Sequence, residues 1–293
     1  MSTVILLGAK GMLGSSLAPA LRAIGHKVIT QSRTDGADLC LDPFDKKALT
    51  DALIQYCPTA VVNLIAATNV DQCEIQPQIA WRANAGVVAT LTDSIASVYK
   101  QTKAKPHLVH ISTDQVYDGL GPHSEDEVNL INVYGLSKYT GELLASRVGA
   151  TVLRTNFFGL SRCKGRLSFS DWLVLSFRER TPITVFDDIK FSALHIDTLC
   201  SIISHSIERR PAGIFNAGCR DSMSKAEFAF CIAKSLNLPT NQVTVGTSKD
   251  LALKARRPLD MSLQVSLLEN SLAMRLPSMQ DEIEHTVKEY INE

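Results

Sequence analysis

Five short, nearly all-apolar runs, separated by longer amphipathic stretches, constrain this chain more than any other feature of its sequence. Residues 4–7, 27–30, 60–64, 107–112 and 151–154 have the length and β-branched content of strands. Residues 11–24, 46–56, 78–99 and 134–148, between them, carry apolar positions at helical spacing. A strand that is apolar on both faces must be covered on both, which a parallel sheet between two layers of helices provides. The expected fold is therefore α/β, a Rossmann-type, doubly wound parallel sheet. Pro19 falls inside the first helical stretch, where it should remove one hydrogen bond and bend the axis.

Beyond residue 156 the alternation weakens. Residues 183–186 and 213–216 still read as strands, whereas 168–180, 225–236 and 279–292 read as helices, and Arg256, Arg257 and Pro258 interrupt the C-terminal third. The expected division is a dinucleotide-binding domain over 1–156, with strands returning from about 183–217. A smaller, mixed substrate-binding lobe would be formed by 157–182 and 218–293. Thirty Lys plus Arg balance thirty Asp plus Glu, which argues against a broad basic face for nucleic acid or an anionic membrane. No apolar run reaches the length of a membrane span, and the first residues lack a basic region and an apolar core long enough for a secretory leader. The seven cysteines are scattered singly and form no C-x-x-C, the pattern of neither a zinc site nor a disulfide framework. A cytoplasmic protein without a metal site is expected.

The turn after the first strand reads Gly8-Ala9-Lys10-Gly11-Met12-Leu13-Gly14. Gly8 permits a tight turn, Gly11 lets backbone approach a pyrophosphate, and Gly14 lets helix and strand pack closely. The helix that follows would point its free N–H groups and positive dipole end at the phosphates. The second strand ends at Gln31-Ser32-Arg33, without the carboxylate that usually holds the ribose 2′-hydroxyl of NAD. Arg33 instead suits a 2′-phosphate, tolerated or preferred, or is a solvated loop residue; NADP is slightly favoured over NAD. Asp42, before Pro43, is placed either to cap the next helix or to meet the adenine edge.

Tyr134 and Lys138 stand four residues apart at the start of a helical stretch, hence on one face. A phenol is a poor acid–base catalyst near neutrality, but a neighbouring ammonium favours its ionised form. Thr113, at the end of the fourth strand, supplies a hydroxyl that can orient a carbonyl, at the strand ends where open α/β sheets bind ligands. Spacing alone is weak evidence, because Tyr99 and Lys103 repeat it in a polar, surface-like segment. The histidines show no metal-ligand spacing, and His110 reads as core. Arg154, Lys190, Arg256 and Arg257 are candidates for diphosphate contacts or, equally, for plain surface charge.

With these motifs in view, the chain resembles the extended short-chain dehydrogenase/reductases, and more narrowly the dTDP-4-dehydrorhamnose reductase family. The resemblance is carried by residues 62–71, by Ser112-Thr113-Asp114 through Gly119, by Asn132-Val133-Tyr134-Gly135 through Lys138, by Gly141-Glu142 and by Arg256-Arg257-Pro258. It implies nicotinamide-dependent reduction of a 4-keto group on a nucleotide-diphosphate 6-deoxyhexose. Tyr134 would give the proton, Lys138 would hold the nicotinamide ribose and lower the tyrosine pKa, and Thr113 would bond the reacting oxygen. Cofactor contacts would fall on Gly8, Gly11, Met12, Leu13, Gly14, Arg33, Asp42, Pro43, Ala66, Ala67 and Thr68, besides Tyr134 and Lys138. Substrate contacts would fall on Thr113, Asp114, Phe157 and Arg257. The resemblance also allows a homodimer. The chain departs from the family at Gln115, usually aromatic, and at Phe157, usually Trp. It departs again at residues 189–194, which keep only Ser192 of a Gln-x-Gly-x-Pro-Thr loop, and at Ser16, where some members place a metal-binding carboxylate at their dimer contact. Residues 223–238 with 256–258 are also similar to the regulatory β subunit of methionine adenosyltransferase. Three readings follow: the sugar reductase, another nucleotide-sugar epimerase or reductase of the same extended family, and a non-catalytic cofactor-binding subunit.

Overall fold

In the computed structural model, which describes residues 2–292, the apolar runs join one sheet. Its strands are β1 (Thr3–Leu7), β2 (Lys27–Ser32), β3 (Leu39–Cys40), β4 (Ala60–Asn63), β5 (His107–Ile111), β6 (Thr151–Thr155) and β7 (Gly213–Ala217). They lie in the order β7-β6-β5-β4-β1-β2-β3, all parallel. The expected doubly wound α/β fold is thus the observed one. Successive side chains of a strand point to opposite faces, and β1 feeds two cores accordingly. Val4 and Leu6 join one apolar cluster, Ile5 and Leu7 the other, and all four are wholly buried. The chain leaves β1 toward β2 on one side and returns to β4 on the other. The crevice above the C-terminal ends of these strands is the switch point where such sheets bind ligands.

The long helices are α1 (Met12–Ala23), α2 (Lys46–Tyr56), α3 (Val87–Thr102), α4 (Val133–Ser146), α5 (Phe169–Glu179), α6 (Ile196–Arg209), α7 (Lys225–Ser235) and α8 (Met279–Asn292). Pro19 does not break α1: it lies on the exposed face, where water can satisfy the carbonyl it leaves free. The helix expected over 78–99 is observed as Pro77–Trp81, a π-helical turn at Arg82–Gly86 and α3. α6 carries no sequence expectation. Its Ile, Thr, Ser, Cys and His content is poor in helix formers, yet packing of Ile196, Leu199, Ile202, Ile203 and Ile207 into the core makes it helical. Among the described residues no helix is long and apolar enough to cross a membrane.

Of the later strands, Gly213–Ala217 forms the edge of the central sheet as β7, whereas Ile183–Phe186 pairs with Val243–Gly246 outside it. Lys190–Phe191, in the segment that departs from the family loop, lies between Met223–Ser224 and Asp260–Met261. Phe191 packs there on Phe169 and Phe228, so the departure builds a scaffold under the lobe rather than a free loop. Ser16 is wholly buried within α1.

The glycine turn shows why α1 can start so close to β1. Gly8 takes φ +80°, and a Cβ on Gly14 would lie 2.5 Å from the Ala9 carbonyl oxygen. Gly14→Ala should therefore force the turn and α1 apart and cost about 1–3 kcal/mol of stability. Urea unfolding measures this, and an unchanged midpoint would show that the contact is loose.

Candidate active site

Two cavities meet at the C-terminal edge of the sheet and share Gly8, Gly11, Leu64, Ala66 and Arg166. The larger, about 710 Å³, runs over the glycine turn toward Arg33, Pro43 and Phe44. The smaller, about 330 Å³, runs from the start of α1 to Thr113, Asp114, Tyr134, Lys138 and Phe157. Residues from nine separate sequence segments are thus brought to one cleft. Met12, Leu13 and Gly14 line it at the first turn of α1, which has no side-chain cap and no acidic residue. Its N–H groups are left for an anion. Gln31, wholly buried at the end of β2, braces the turn: Gly8 N–H donates to its Oε1 at 3.2 Å, and its Nε2 donates to the Leu41 carbonyl at 2.8 Å.

α4 positions the phenol and the ammonium. Asn132 caps it by accepting from Gly135 N–H at 2.7 Å. A Cβ at Gly135 would meet the Gln115 carbonyl and one at Gly141 the Asn84 carbonyl, so the helix lies directly on its neighbours. Tyr134 and Lys138 are both buried, and Lys138 Nζ donates to the Ile111 carbonyl at 2.6 Å. Burial draws this ammonium down to about 8, against the opposing pull of the Glu142 carboxylate. Burial pushes the Tyr134 phenol above its ordinary range, with the neighbouring Thr113 hydroxyl pulling the other way. The lowering expected from the i, i+4 lysine is not found: desolvation sets the shift, and Lys138 is not among the groups acting on the phenol. Tyr99 and Lys103, with the same spacing, lie at the solvent-facing end of α3, where the ammonium stands 6.0 Å from the ring centroid.

Asp114 is buried beside Thr113. Its Oδ1 accepts from the Thr113 hydroxyl at 3.2 Å and its Oδ2 from Asn156 Nδ2 at 2.9 Å. Burial raises its carboxyl to about 6.

Other candidates are placed elsewhere. Asp42 is exposed and accepts from Phe44 N–H at 3.1 Å, while the cap of α2 is Asp45, bonded by Ala48 N–H at 3.0 Å. Arg257 lies outside both cavities and is held bidentately by Asp71, at 3.0 and 2.8 Å. Arg256 pairs with Asp118 at 2.8 Å, Lys190 is exposed on its short strand, and Arg154 is wholly buried against Glu142. Of these cations, then, only Lys190 has, among the described residues, neither a salt-bridge partner nor a buried place.

Cations that sequence reasoning passed over do line the larger cavity: Lys10, Arg82, Lys164 and Arg166, alongside Arg33. Lys164 and Arg166 belong to a segment far along the chain that folds back over the glycine turn, where Cys163 Sγ reaches the Lys10 carbonyl at 3.2 Å. Asn84, in the π-helical turn, was also missed. It accepts from Ala67 N–H at 2.8 Å and donates to Ser137 Oγ at 2.9 Å, tying the strand end at Ala66-Ala67-Thr68 to α4. An Asn inside a helix beside a glycine was the available signal.

His195, Asp197 and His285 place ligand atoms within 4.8 Å of one another, which their sequence spacing conceals. The set is already engaged. Arg162 holds Asp197 at 2.8 and 3.0 Å, and His195 binds Asp197 N–H and Glu289 through its two ring nitrogens. It is an ion-pair network tying α8 to the segment after β6.

The family model described as RmlD substrate binding domain matches residues 1–292. The chain belongs to this family. A dTDP-4-dehydrorhamnose reductase from Bacillus anthracis, solved in complex with NADP, superposes with a TM-score of 0.87 at 25% identity, over 98% of this chain and 99% of that one. The chain is 26% identical to the probable low-salt glycan biosynthesis reductase Agl14 of Haloferax volcanii, over 94% of each. It is also 25% identical to the methionine adenosyltransferase 2 subunit beta of Rattus norvegicus, over 94% of this chain and 84% of that protein.

The buried carboxyl of Asp114 has a stability consequence. A carboxyl raised in the folded state binds its proton more tightly there than in the unfolded chain, so its contribution is present below about pH 4 and lost as pH rises through about 6. Asp114→Asn should therefore be the more stable protein at pH 7, by up to about 3 kcal/mol, and the difference should vanish near pH 4. Thermal unfolding at the two pH values measures it; equal stability at pH 7 would mean the carboxylate is better solvated than its burial implies.

Proposed function

We propose that the protein is an NAD(P)H-dependent oxidoreductase that reduces the 4-keto group of a nucleotide-diphosphate 6-deoxyhexose. The observation that carries this reading is the convergence of Thr113, Tyr134 and Lys138 on one cavity continuous with the glycine turn. The cleft fits a dinucleotide. The close approach at Gly14 leaves no room for a Cβ, the first turn of α1 is uncapped, and cations flank the path from that turn to Arg33. Gly8, Gly11, Met12, Leu13, Gly14, Pro43, Ala66, Ala67 and Thr68 would hold the cofactor there, and Lys138 would hold its nicotinamide ribose. When bound, the dinucleotide supplies the hydride.

The chain's own residues manage the proton. Reduction of a ketone requires a proton at its oxygen, and a phenol held above its ordinary pKa is fully protonated at neutral pH and ready to donate. The Thr113 hydroxyl steadies the same oxygen as negative charge develops on it. The nearby Lys138 ammonium stabilises the phenolate that Tyr134 becomes. Phe157 and Asp114 line the same cavity and would form the wall beside the sugar. Tyr134→Phe should lower kcat by about 10²–10⁴-fold while the NADPH dissociation constant stays within about threefold of wild type. Retained turnover of the keto sugar would remove the proton-donor role.

The adenosine end favours NADPH. Asp38, the acidic side chain bonded to the end of β2, is taken up by Thr30 N–H and Oγ1 at 2.8 and 2.6 Å, leaving Arg33 to face the cavity. A guanidinium pairs well with a phosphate dianion. Arg33→Ala should weaken NADPH about tenfold and leave NADH nearly unchanged, as fluorescence titration will show. Equal losses for both cofactors would exclude a 2′-phosphate contact.

The likeness to an adenosyltransferase β subunit supports a second reading, a cofactor-binding partner of another enzyme. It predicts tight NADPH binding without oxidation by any nucleotide keto sugar, whereas the reductase reading predicts turnover by the isolated chain.

A further inference from the structure

Glu142 follows Lys138 by one turn of α4 and Tyr134 by two, and its side chain has no solvent exposure. Its Oε1 accepts from the Ser112 hydroxyl. Its two oxygens also accept from Arg154, with Nε at 3.1 Å from each and Nη2 at 2.7 Å from Oε2. Ser112 immediately precedes Thr113 at the end of β5, and Arg154 stands on β6. Arg154 Nη1 goes on to donate to Tyr117 Oη at 2.7 Å and to the Glu125 carbonyl at 2.6 Å. One carboxylate thus joins the helix bearing Tyr134 and Lys138 to the strand end bearing Thr113.

Packing does not require a charge at this place, since apolar residues of equal volume could seat the helix without desolvating two ions. Apolar residues could not supply an anion one turn from Lys138. The other titratable groups around the site do not serve. His110 on β5 is held neutral by burial beside Lys138, Cys73 is a thiol raised by burial, and Asp114 acts on Tyr134. Arg154 is a cation already paired with Glu142.

We propose that Glu142 is a positioning residue of the active site: its bonds to Arg154 and Ser112 fix the helix that bears Tyr134 and Lys138 against the strand end that presents Thr113, and it stands as the anion one turn from Lys138. This rests on the reading of Thr113, Tyr134 and Lys138 given above. Glu142→Gln would strand Arg154 as a lone buried cation, so the test uses Glu142→Gln/Arg154→Met, with Ser112→Ala beside it. NADPH affinity is titrated from pH 6 to pH 10 by fluorescence, a readout that needs no sugar. Wild-type affinity should fall as Lys138 loses its proton near pH 8. In the double variant the midpoint should move down, as should the alkaline limb of kcat, by up to about one pH unit, since loss of the Arg154 cation offsets part of the effect. Ser112→Ala should lower kcat about tenfold with the midpoint unmoved.

An unmoved midpoint in the double variant overturns the charge role, and an unchanged kcat in Ser112→Ala overturns the anchoring role. Should the double variant not fold, Glu142→Asp takes its place: it keeps the anion but shortens its reach, so kcat should fall with the midpoint held. A shifted midpoint with kcat intact in that variant overturns the proposal. A wild-type affinity constant from pH 7 to pH 9 would instead remove the reading of Lys138 itself, and Glu142's role with it.

Discussion

The pairing of Arg154 with Glu142, out of reach of water, is the constraint on which the arrangement of the site depends. Both side chains are essentially unexposed, and a buried charge deprived of its partner costs about 3–5 kcal/mol. The pair therefore allows little tolerance in the distance between α4 and β6. Because Glu142 also receives Ser112, and Arg154 also reaches Tyr117, the same tolerance passes to the end of β5 and to the chain leading from it. Tyr117 is stacked on His123 and bonded to Asn216 at the end of β7. A chain of polar contacts thus runs under the cleft from α4 to the edge of the sheet.

Above that layer the cleft divides its electrostatics by depth. Near the chemistry the titratable groups are buried, and burial dominates: the phenol rises, the ammonium falls and the Asp114 carboxyl rises. Toward the open end the groups are solvated cations, drawn from the glycine turn, the end of β2, the π-helical turn and the segment after β6. A chain of zero net charge can thus present a cationic channel, because no acidic residue lines this cavity and the balancing acids lie elsewhere. Asp71 takes Arg257, Asp118 takes Arg256, and Asp197 takes Arg162.

The central strands were legible in the sequence because burial on both faces leaves a run of apolar residues that no loop shows, whereas β3, two residues at the partly exposed edge, was not. The glycine turn was legible because backbone geometry, not packing, demands glycine at Gly8, and a contact with backbone demands it at Gly14. Tyr134 and Lys138 were legible as a pair because helical spacing is local. α6 was passed over although Ile196, Leu199, Cys200, Ile203 and Ile207 recur at helical spacing, because its Ile, Thr, Ser and His content is poor in helix formers. Arg154 could be read as a ligand-facing cation because sequence does not record burial. Lys164 and Arg166 carried no local signal at all, being about 150 residues from the turn they cover.

By itself the sequence determined the α/β class, the parallel sheet, the anion-ready start of α1 and the identity of the three groups that meet at the smaller cavity. These follow from periodicity and backbone sterics, which act over a few residues. The tertiary structure decided which charges face the cleft and which are spent in pairs. It also decided whether desolvation or a neighbouring charge sets each pKa, and which carboxylate stands behind Lys138. Those outcomes depend on distances between segments far apart in the chain, and electrostatic and desolvation energies are set by such distances rather than by local order.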